Sequence, residues 1–407
     1  MFTKQTISEV IEIQAGLYES KAIGTPRTAL DELKLYDSFT LIICGIRRCG
    51  KSTLLNQALR SKFSRPIFLN FEDPRLAAFE LSDFIRFDEL VKEINPDVIA
   101  FDEIQNVPQW EKYIRSKQDE GQRIIVTGSN ASLLSKEFGA ILTGRYLIKE
   151  LFPFSYVEYL NFNGKSVGVN SFSEYLNDGG FPEYLKTHDT EILNRLIDDI
   201  LLRDITLRFG VRQHQMLRQL ALYLVSNIGK CLSMNQLKNL FSIGSVNSIS
   251  NYIEWLEDSY LIFSIPKFSF SLKKQIYNPR KIYCVDTGLA GANSLSMSKD
   301  YGRKLENMIF LHLRKTCKTI FYYSEKNECD FIVVQNGQPT DAIQVCYQLT
   351  TDNLNRELKG LEEAMSELKL ESGLIITHNQ EDSFEVSGKA VKAIPAWKYL
   401  THQNTNP

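Results

Sequence analysis

The spacing of apolar positions changes several times along this chain. Near the start, Ile7, Val10, Ile11, Ile13 and Leu17 recur at helical spacing, which predicts an amphipathic helix. A polar segment through Gly24, Thr25 and Pro26 follows it. From Phe39 to Leu151 short apolar runs alternate with helical stretches, and the runs predict strands at 40–44, 66–71, 98–101, 123–127 and 146–150. Strand and helix in alternation argue for βαβ units and a parallel sheet covered on both faces. Residues 161–170, rich in Gly, Asn and Ser, predict a loop, and the spacing from Phe172 to Asp258 is mostly helical. Within that stretch, 216–260 reads as three helices, with Ser233 as the N-cap of the second. Gly244 and Ser245 turn the chain into the third, and 260–265 predicts a strand. From about Arg303 a helix, strands at 331–334 and 342–347, a further helix and a strand at 374–377 suggest a second, smaller α/β unit. No internal repeat is visible.

Length and composition set limits on this picture. A chain of 407 residues is too long for one ordinary core and suggests two or three domains. The divisions expected are 1–155, 156–290 and 291–407. A net charge of -2 gives no global attraction to nucleic acid or to an acidic membrane, so such binding needs a local patch. The first residues lack the apolar core of a signal peptide, and no apolar run reaches the roughly 18 residues that span a bilayer. Seven cysteines without a C-x-x-C pair disfavour a disulfide framework and a zinc ribbon. They read as buried thiols in a reducing compartment, which means the cytoplasm.

The strongest chemical signal is Gly45-Ile46-Arg47-Arg48-Cys49-Gly50-Lys51-Ser52, which fits G-x-x-x-x-G-K-[ST]. Its glycines let the backbone turn so that N–H groups converge on phosphate oxygens. Lys51 is the cation for the β- and γ-phosphates, and the Ser52 hydroxyl is a magnesium ligand. The helix from Thr53 onward points its positive end at the same anion. A working nucleotidase also needs a carboxylate for the metal and a group that orients water. Asp102 and Glu103, after the apolar run Val98-Ile99-Ala100-Phe101, are expected to hold Mg²⁺ and to polarise the attacking water, respectively. At the end of the next strand Asn130 is expected to bond the γ-phosphate or the lytic water. Its alternative is a turn residue chosen for backbone reasons. Arg145 reads equally as an arginine finger, in cis or from a neighbouring subunit, and as an ordinary salt-bridge partner.

These residues carry a family resemblance. The P-loop run, Asn70-Phe71-Glu72-Asp73-Pro74, Asp102-Glu103-Ile104-Gln105, Thr127-Gly128-Ser129, Gly144-Arg145, Leu151-Phe152-Pro153-Phe154-Ser155, Gly179-Gly180-Phe181-Pro182 and Arg203-Asp204-Ile205 resemble a family of prokaryotic AAA-like ATPases. The C-terminal part of that family, of unknown function, is similar to the PD-(D/E)xK restriction-endonuclease-like fold. The resemblance covers nearly the whole chain and implies ATP rather than GTP. It also implies a winged helix in the middle region. The third helix there offers Ser245, Asn247, Ser248, Ser250 and Asn251 but neither Lys nor Arg. The region therefore reads first as a protein-binding or interdomain spacer; the alternative, DNA contact, needs cations and falls to Lys267, Lys273, Lys274, Arg280 and Lys281. In the C-terminal part Glu306 and Asp330 sit where the resemblance wants acids, but Gln344 and Cys346 stand where an acid and a lysine should be. Nuclease chemistry is not expected from such a site.

The expectation is an α/β P-loop ATPase domain, a helical winged-helix-like middle and a degenerate nuclease-like α/β domain. Its reaction would be Mg²⁺-dependent ATP hydrolysis that switches the flanking domains, on DNA or with a protein partner or a second copy of the chain, and with no membrane. The rivals are an ATP-gated interaction switch with negligible hydrolysis, an ATP-dependent nuclease and a DNA-binding regulator.

Overall fold

The computed structural model describes residues 2–129, 142, 144–295 and 300–401, and the chain divides into two compact units, Met1–Phe152 and Pro153–Pro407. The first unit contains β1 (Thr40–Cys44), β2 (Pro66–Asn70), β3 (Val98–Asp102), β4 (Ile124–Gly128) and β5 (Tyr146–Glu150). Every pair is parallel, in the order β2-β3-β4-β1-β5. β1, β3 and β4 are buried along their whole length, as expected of strands covered on both faces. The five strands lie where the apolar runs predict them, within one residue at each end. Helices α1 (Lys4–Ser20), α2 (Lys51–Lys62), α3 (Phe84–Ile94) and α4 (Trp110–Asp119) accompany them.

The predicted first helix forms, but its inward face is not the one its apolar residues suggest. α1 buries Ile7, Val10, Ile11 and Gln14, whereas Ile13 and Leu17 are about half exposed. At about 100° per residue, positions 7, 10, 11 and 14 form one stripe, and 13 and 17 lie along its edge. Gln14 earns its buried place by hydrogen bonding. Its side-chain oxygen accepts the Asn70 N–H at 2.8 Å and its amide donates to the Asn70 carbonyl at 3.2 Å, which satisfies backbone at the end of edge strand β2.

In the second unit, a capping box of Ser155 and Glu158 opens the helix Tyr156–Asn163, which ends on left-handed Gly164. The next helix begins at Val169, so the expected loop 161–170 shrinks to its centre. Three further helices, His214–Ser226, Met234–Leu240 and Val246–Asp258, occupy the region read as three helices. Ser233 caps the second of them in a capping box with Gln236, and Ser245 caps the third. With them runs a small antiparallel sheet in the order β6-β8-β7, from β6 (Cys231–Leu232), β7 (Ile262–Ile265) and β8 (Arg280–Cys284). The C-terminal part is a six-stranded mixed sheet of β9 (Ile320–Ser324), β10 (Glu328–Gln335), β11 (Gln338–Cys346), β12 (Ser372–Thr377), β13 (Asp382–Val386) and β14 (Lys389–Pro395), ordered β13-β14-β12-β11-β10-β9. The helices Tyr301–Thr316 and Leu354–Leu368 belong to the same part. Among the described residues no helix is long and apolar enough to cross a membrane.

Candidate functional site

Parallel strands bring their C-terminal ends to one side of a sheet, where ligands of α/β folds bind. In the first unit this side collects the loop after Cys44, Asp102 at the end of β3 and Thr127 near the end of β4. The loop turns through left-handed Arg48 (φ 63°) and Gly50 (φ 101°), and α2 starts directly at Lys51. A side chain at Gly45 would put Cβ 2.1 Å from the Leu151 carbonyl oxygen, so only glycine lets the loop leave β1 along this path. The Lys51 ammonium is buried and donates to the carbonyls of Gly45 and Ile46, each at 3.1 Å. Ile46 is buried, Arg47 pairs with Glu72 at 3.4 Å, and Thr53 is half-buried behind exposed Ser52. Cys49 packs inward with its thiol on the Leu151 carbonyl, and burial raises its pKa. It is therefore a filler and not a reactive thiol.

Asp102 is 2% exposed. Its carboxyl is pushed up to about 6, first by burial and then by the neighbouring Glu103 charge, against hydrogen bonds from Thr127 and Ser52 and the charge of Lys51. Ser52 and Asp102, the expected metal pair, are thus near enough for the Ser52 hydroxyl to favour the ionised carboxylate. A buried carboxylate whose charge is poorly solvated, beside a hydroxyl and an ammonium, suits a hard divalent cation, which would stabilise that charge. Glu103 adopts φ 53°, an uncommon conformation for a residue with a side chain and a frequent one at functional sites. Gln105 donates from its amide to the Glu103 carboxylate.

Two residues that carry the site have no assigned part in the sequence reading. Thr127, fully buried, donates its hydroxyl to the Asp102 carboxylate and accepts the Glu103 N–H at 3.3 Å, so one side chain ties both acids together. The parallel neighbours β3 and β4 bring it there, a pairing that local spacing does not reveal. Arg27, also buried, donates to the Cys49 carbonyl and to the Phe152 carbonyl, both at 2.7 Å. It pins the phosphate loop from a segment that the sequence marks only as polar.

Two other expected residues remain. Asn130 lies outside the described residues. Arg145 precedes β5, and Thr40 pairs with Tyr146 while Cys44 pairs with Glu150. Arg145 therefore stands at the opposite end of the sheet from Gly45, roughly 20 Å along the strands at about 3.3 Å per residue, and there it bonds Asp119. That distance keeps it from the site of its own chain, and among the described residues its side chain makes the ordinary ion pair.

The C-terminal acids meet, though not as the sequence suggests. Lys281, expected to face DNA, is 2% exposed and places its Nζ 2.8 Å from oxygens of Glu306, Glu328 and Asp330. The ammonium missing from position 346 thus arrives from β8. Burial alone would lower its pKa, but the acids, Asp330 first, hold it protonated. Gln344 takes no part in that contact: it accepts the Asp330 N–H at 3.2 Å and donates to Glu357 at 2.6 Å. Cys346 is buried in the apolar core of the domain.

Comparison with known proteins finds the following. Residues 37–160 match a family model described as an AAA domain. Residues 169–300 and 301–399 match models described as domains of unknown function, DUF8612 and DUF4143. An uncharacterized protein of Methanocaldococcus jannaschii is 36% identical over 402 residues, 90% of this chain and 89% of its own. An uncharacterized protein of Haemophilus influenzae is 29% identical over 371 residues, 82% of this chain and 91% of its own. Among solved structures, a Walker-type ATPase of Pyrococcus abyssi is similar over 71% of this chain and 94% of its own, at 16% identity and a TM-score of 0.41.

Proposed function

Because the chain belongs to the AAA-type P-loop ATPase family, we propose that it hydrolyses ATP with Mg²⁺ at the site of Lys51, Ser52, Asp102 and Glu103, and that turnover is coupled to work by the second unit. The observation that carries this reading is the junction at Thr127, which joins the metal-side acid Asp102 to the backbone of Glu103. Phosphates are bound by the loop N–H groups from Gly45 to Ser52, by the Lys51 side chain and by the first turn of α2, which includes Thr53. Ser52 and Asp102 would hold Mg²⁺, which would supply positive charge for the phosphates when bound. Glu103 takes the proton of the attacking water, and Gln105 and Thr127 hold Glu103 in place for it.

The test is turnover by the purified protein. Glu103→Gln retains ATP binding and loses roughly 10²- to 10⁴-fold in kcat, while Lys51→Ala loses binding. Wild-type turnover left unchanged in Glu103→Gln removes the assignment. Binding without turnover in both proteins identifies a nucleotide-gated interaction switch instead.

A second reading, contact with DNA, has one observation in its favour. No acidic residue lies between Asp258 and Asp286, and within that stretch Lys273 and Lys274 are exposed on the short helix Leu272–Tyr277. The three helices and the β6-β8-β7 sheet support a winged-helix arrangement in which that helix lies between β7 and β8. Lys281 drops out of the contact set, and Arg280 is half-buried with Nη1 on the Ser264 hydroxyl at 3.0 Å.

A further inference from the structure

The cluster around Lys281 is built as a cation seat. Glu328 and Asp330 are two residues apart on β10, so their side chains leave the same face of the strand. Glu306 reaches the same point from the helix Tyr301–Thr316. Each gives one oxygen 2.8 Å from Lys281 Nζ. The ammonium, which has three hydrogens and no acceptor, donates to Glu328 and Asp330 and pairs by charge with Glu306. The acids are held by other donors as well. Glu306 accepts the Tyr283 hydroxyl at 2.8 Å on the oxygen that faces Lys281, and the second oxygen of Asp330 accepts the Val345 N–H at 2.9 Å.

A lysine that merely needs a counter-charge is satisfied by one carboxylate. Three converging carboxylates are a set of hard oxygen donors of the kind that holds a divalent cation. Three carboxyl groups face one ammonium, and the Glu328 side chain, half exposed, opens the cluster to solvent. Among the described residues no group of acids, histidines and cysteines stands free to hold a metal, and at this point the focus is filled by the chain itself.

We propose that Lys281 is a tethered resident cation that closes a latent divalent-cation seat formed by Glu306, Glu328 and Asp330. In the native protein the ammonium and a metal ion compete for one place, and the ammonium, covalently attached, holds it. The acids of this domain are thereby withheld from metal-dependent chemistry, and removal of the Lys281 charge turns them into a site for Mg²⁺ or Mn²⁺.

The experiment is a Mn²⁺ titration of the full chain, followed by electron paramagnetic resonance of the free ion, without nucleotide and with Asp102→Asn in every protein to remove the first-unit metal pair. The protein with Lys281 intact shows no cluster site tighter than about 1 mM. Lys281→Met gains one Mn²⁺ at least about tenfold tighter than that, and adding Asp330→Asn to it abolishes the gain. Lys281→Gln, which keeps a hydrogen-bond donor for the carboxylates, is read in the same way if Lys281→Met does not fold. The proposal is overturned if a folded Lys281 variant binds no more Mn²⁺ than its parent. It is equally overturned if the protein with Lys281 intact binds Mn²⁺ in a manner lost in Asp330→Asn, and that arm decides alone should neither Lys281 variant fold.

Discussion

The imidazole of His312 has its Nε2 out of contact with water and without a hydrogen-bond partner, and its ring lies tilted against Tyr399 at 5.1 Å. Burial, helped by the charge of Lys315, lowers its pKa to about 4. Between that value and the ordinary 6.5 the unfolded chain binds the proton and the folded chain does not, so stability rises with pH across this window. The neutral ring thus contributes fully above about 6.5, and up to about 3 kcal/mol of stability is lost as pH falls to 4. His312→Phe, of similar shape and without a proton site, is expected to flatten that part of the acid limb in denaturant titrations at pH 7, 5.5 and 4.5. An unchanged slope would place the acid sensitivity elsewhere. At this scale the sequence is an uneven guide. Lys51, Asp102 and Glu103 were legible because their chemistry depends on neighbours in the chain. Lys281 read as a surface cation because its partners lie far along the chain at Glu306, Glu328 and Asp330. Thr127 and Arg27 were invisible as site residues for the same reason.

Elements follow the sequence more closely, since local spacing and caps decide them. The strands of the first unit, the Ser233 capping box and the helix at 246 were legible, whereas the inward face of α1 was set by a tertiary contact of Gln14 that hydropathy does not register. Glycine separates two kinds of element boundary. Gly121, at φ 78°, has nothing within 4 Å of a notional Cβ. Gly121→Ala therefore suffers only the left-handed backbone, about 1–2 kcal/mol. Gly45 lies where β1 hands the chain to the phosphate loop against Leu151, the residue after β5, and its Cβ would meet a backbone oxygen at 2.1 Å. Neither backbone can move without parting β1 from β5, whose register runs to Cys44 and Glu150. Gly45→Ala is expected to cost more than Gly121→Ala in thermal melts and, unlike it, to abolish ATP binding by calorimetry. Equal losses of stability and intact binding in both variants would show that the loop tolerates another exit from the strand.

Over the whole molecule charge is nearly balanced, at -2, so any hold on DNA must be local and small in extent. The stretch between Asp258 and Asp286 carries five basic residues, Lys267, Lys273, Lys274, Arg280 and Lys281, but the fold withdraws three of them. Lys267 pairs with Glu325 at 2.8 Å, Arg280 is engaged with Ser264 at 3.0 Å, and Lys281 is enclosed by acids. What remains is a helix that presents two lysines among four apolar side chains, Phe270, Leu272, Ile276 and Tyr277, each about three-quarters exposed. If this helix meets duplex DNA, two phosphates are neutralised and about 1.8 counterions are released. Lys273→Glu with Lys274→Glu is then expected to weaken binding regardless of sequence. The same change lowers the slope of log affinity against log salt by about 2. Lys281→Gln, which changes a cation that DNA cannot reach, leaves that slope alone. A slope unmoved by the double substitution would take the helix off DNA, and its apolar side chains would then mark it for a protein partner with an acidic rim.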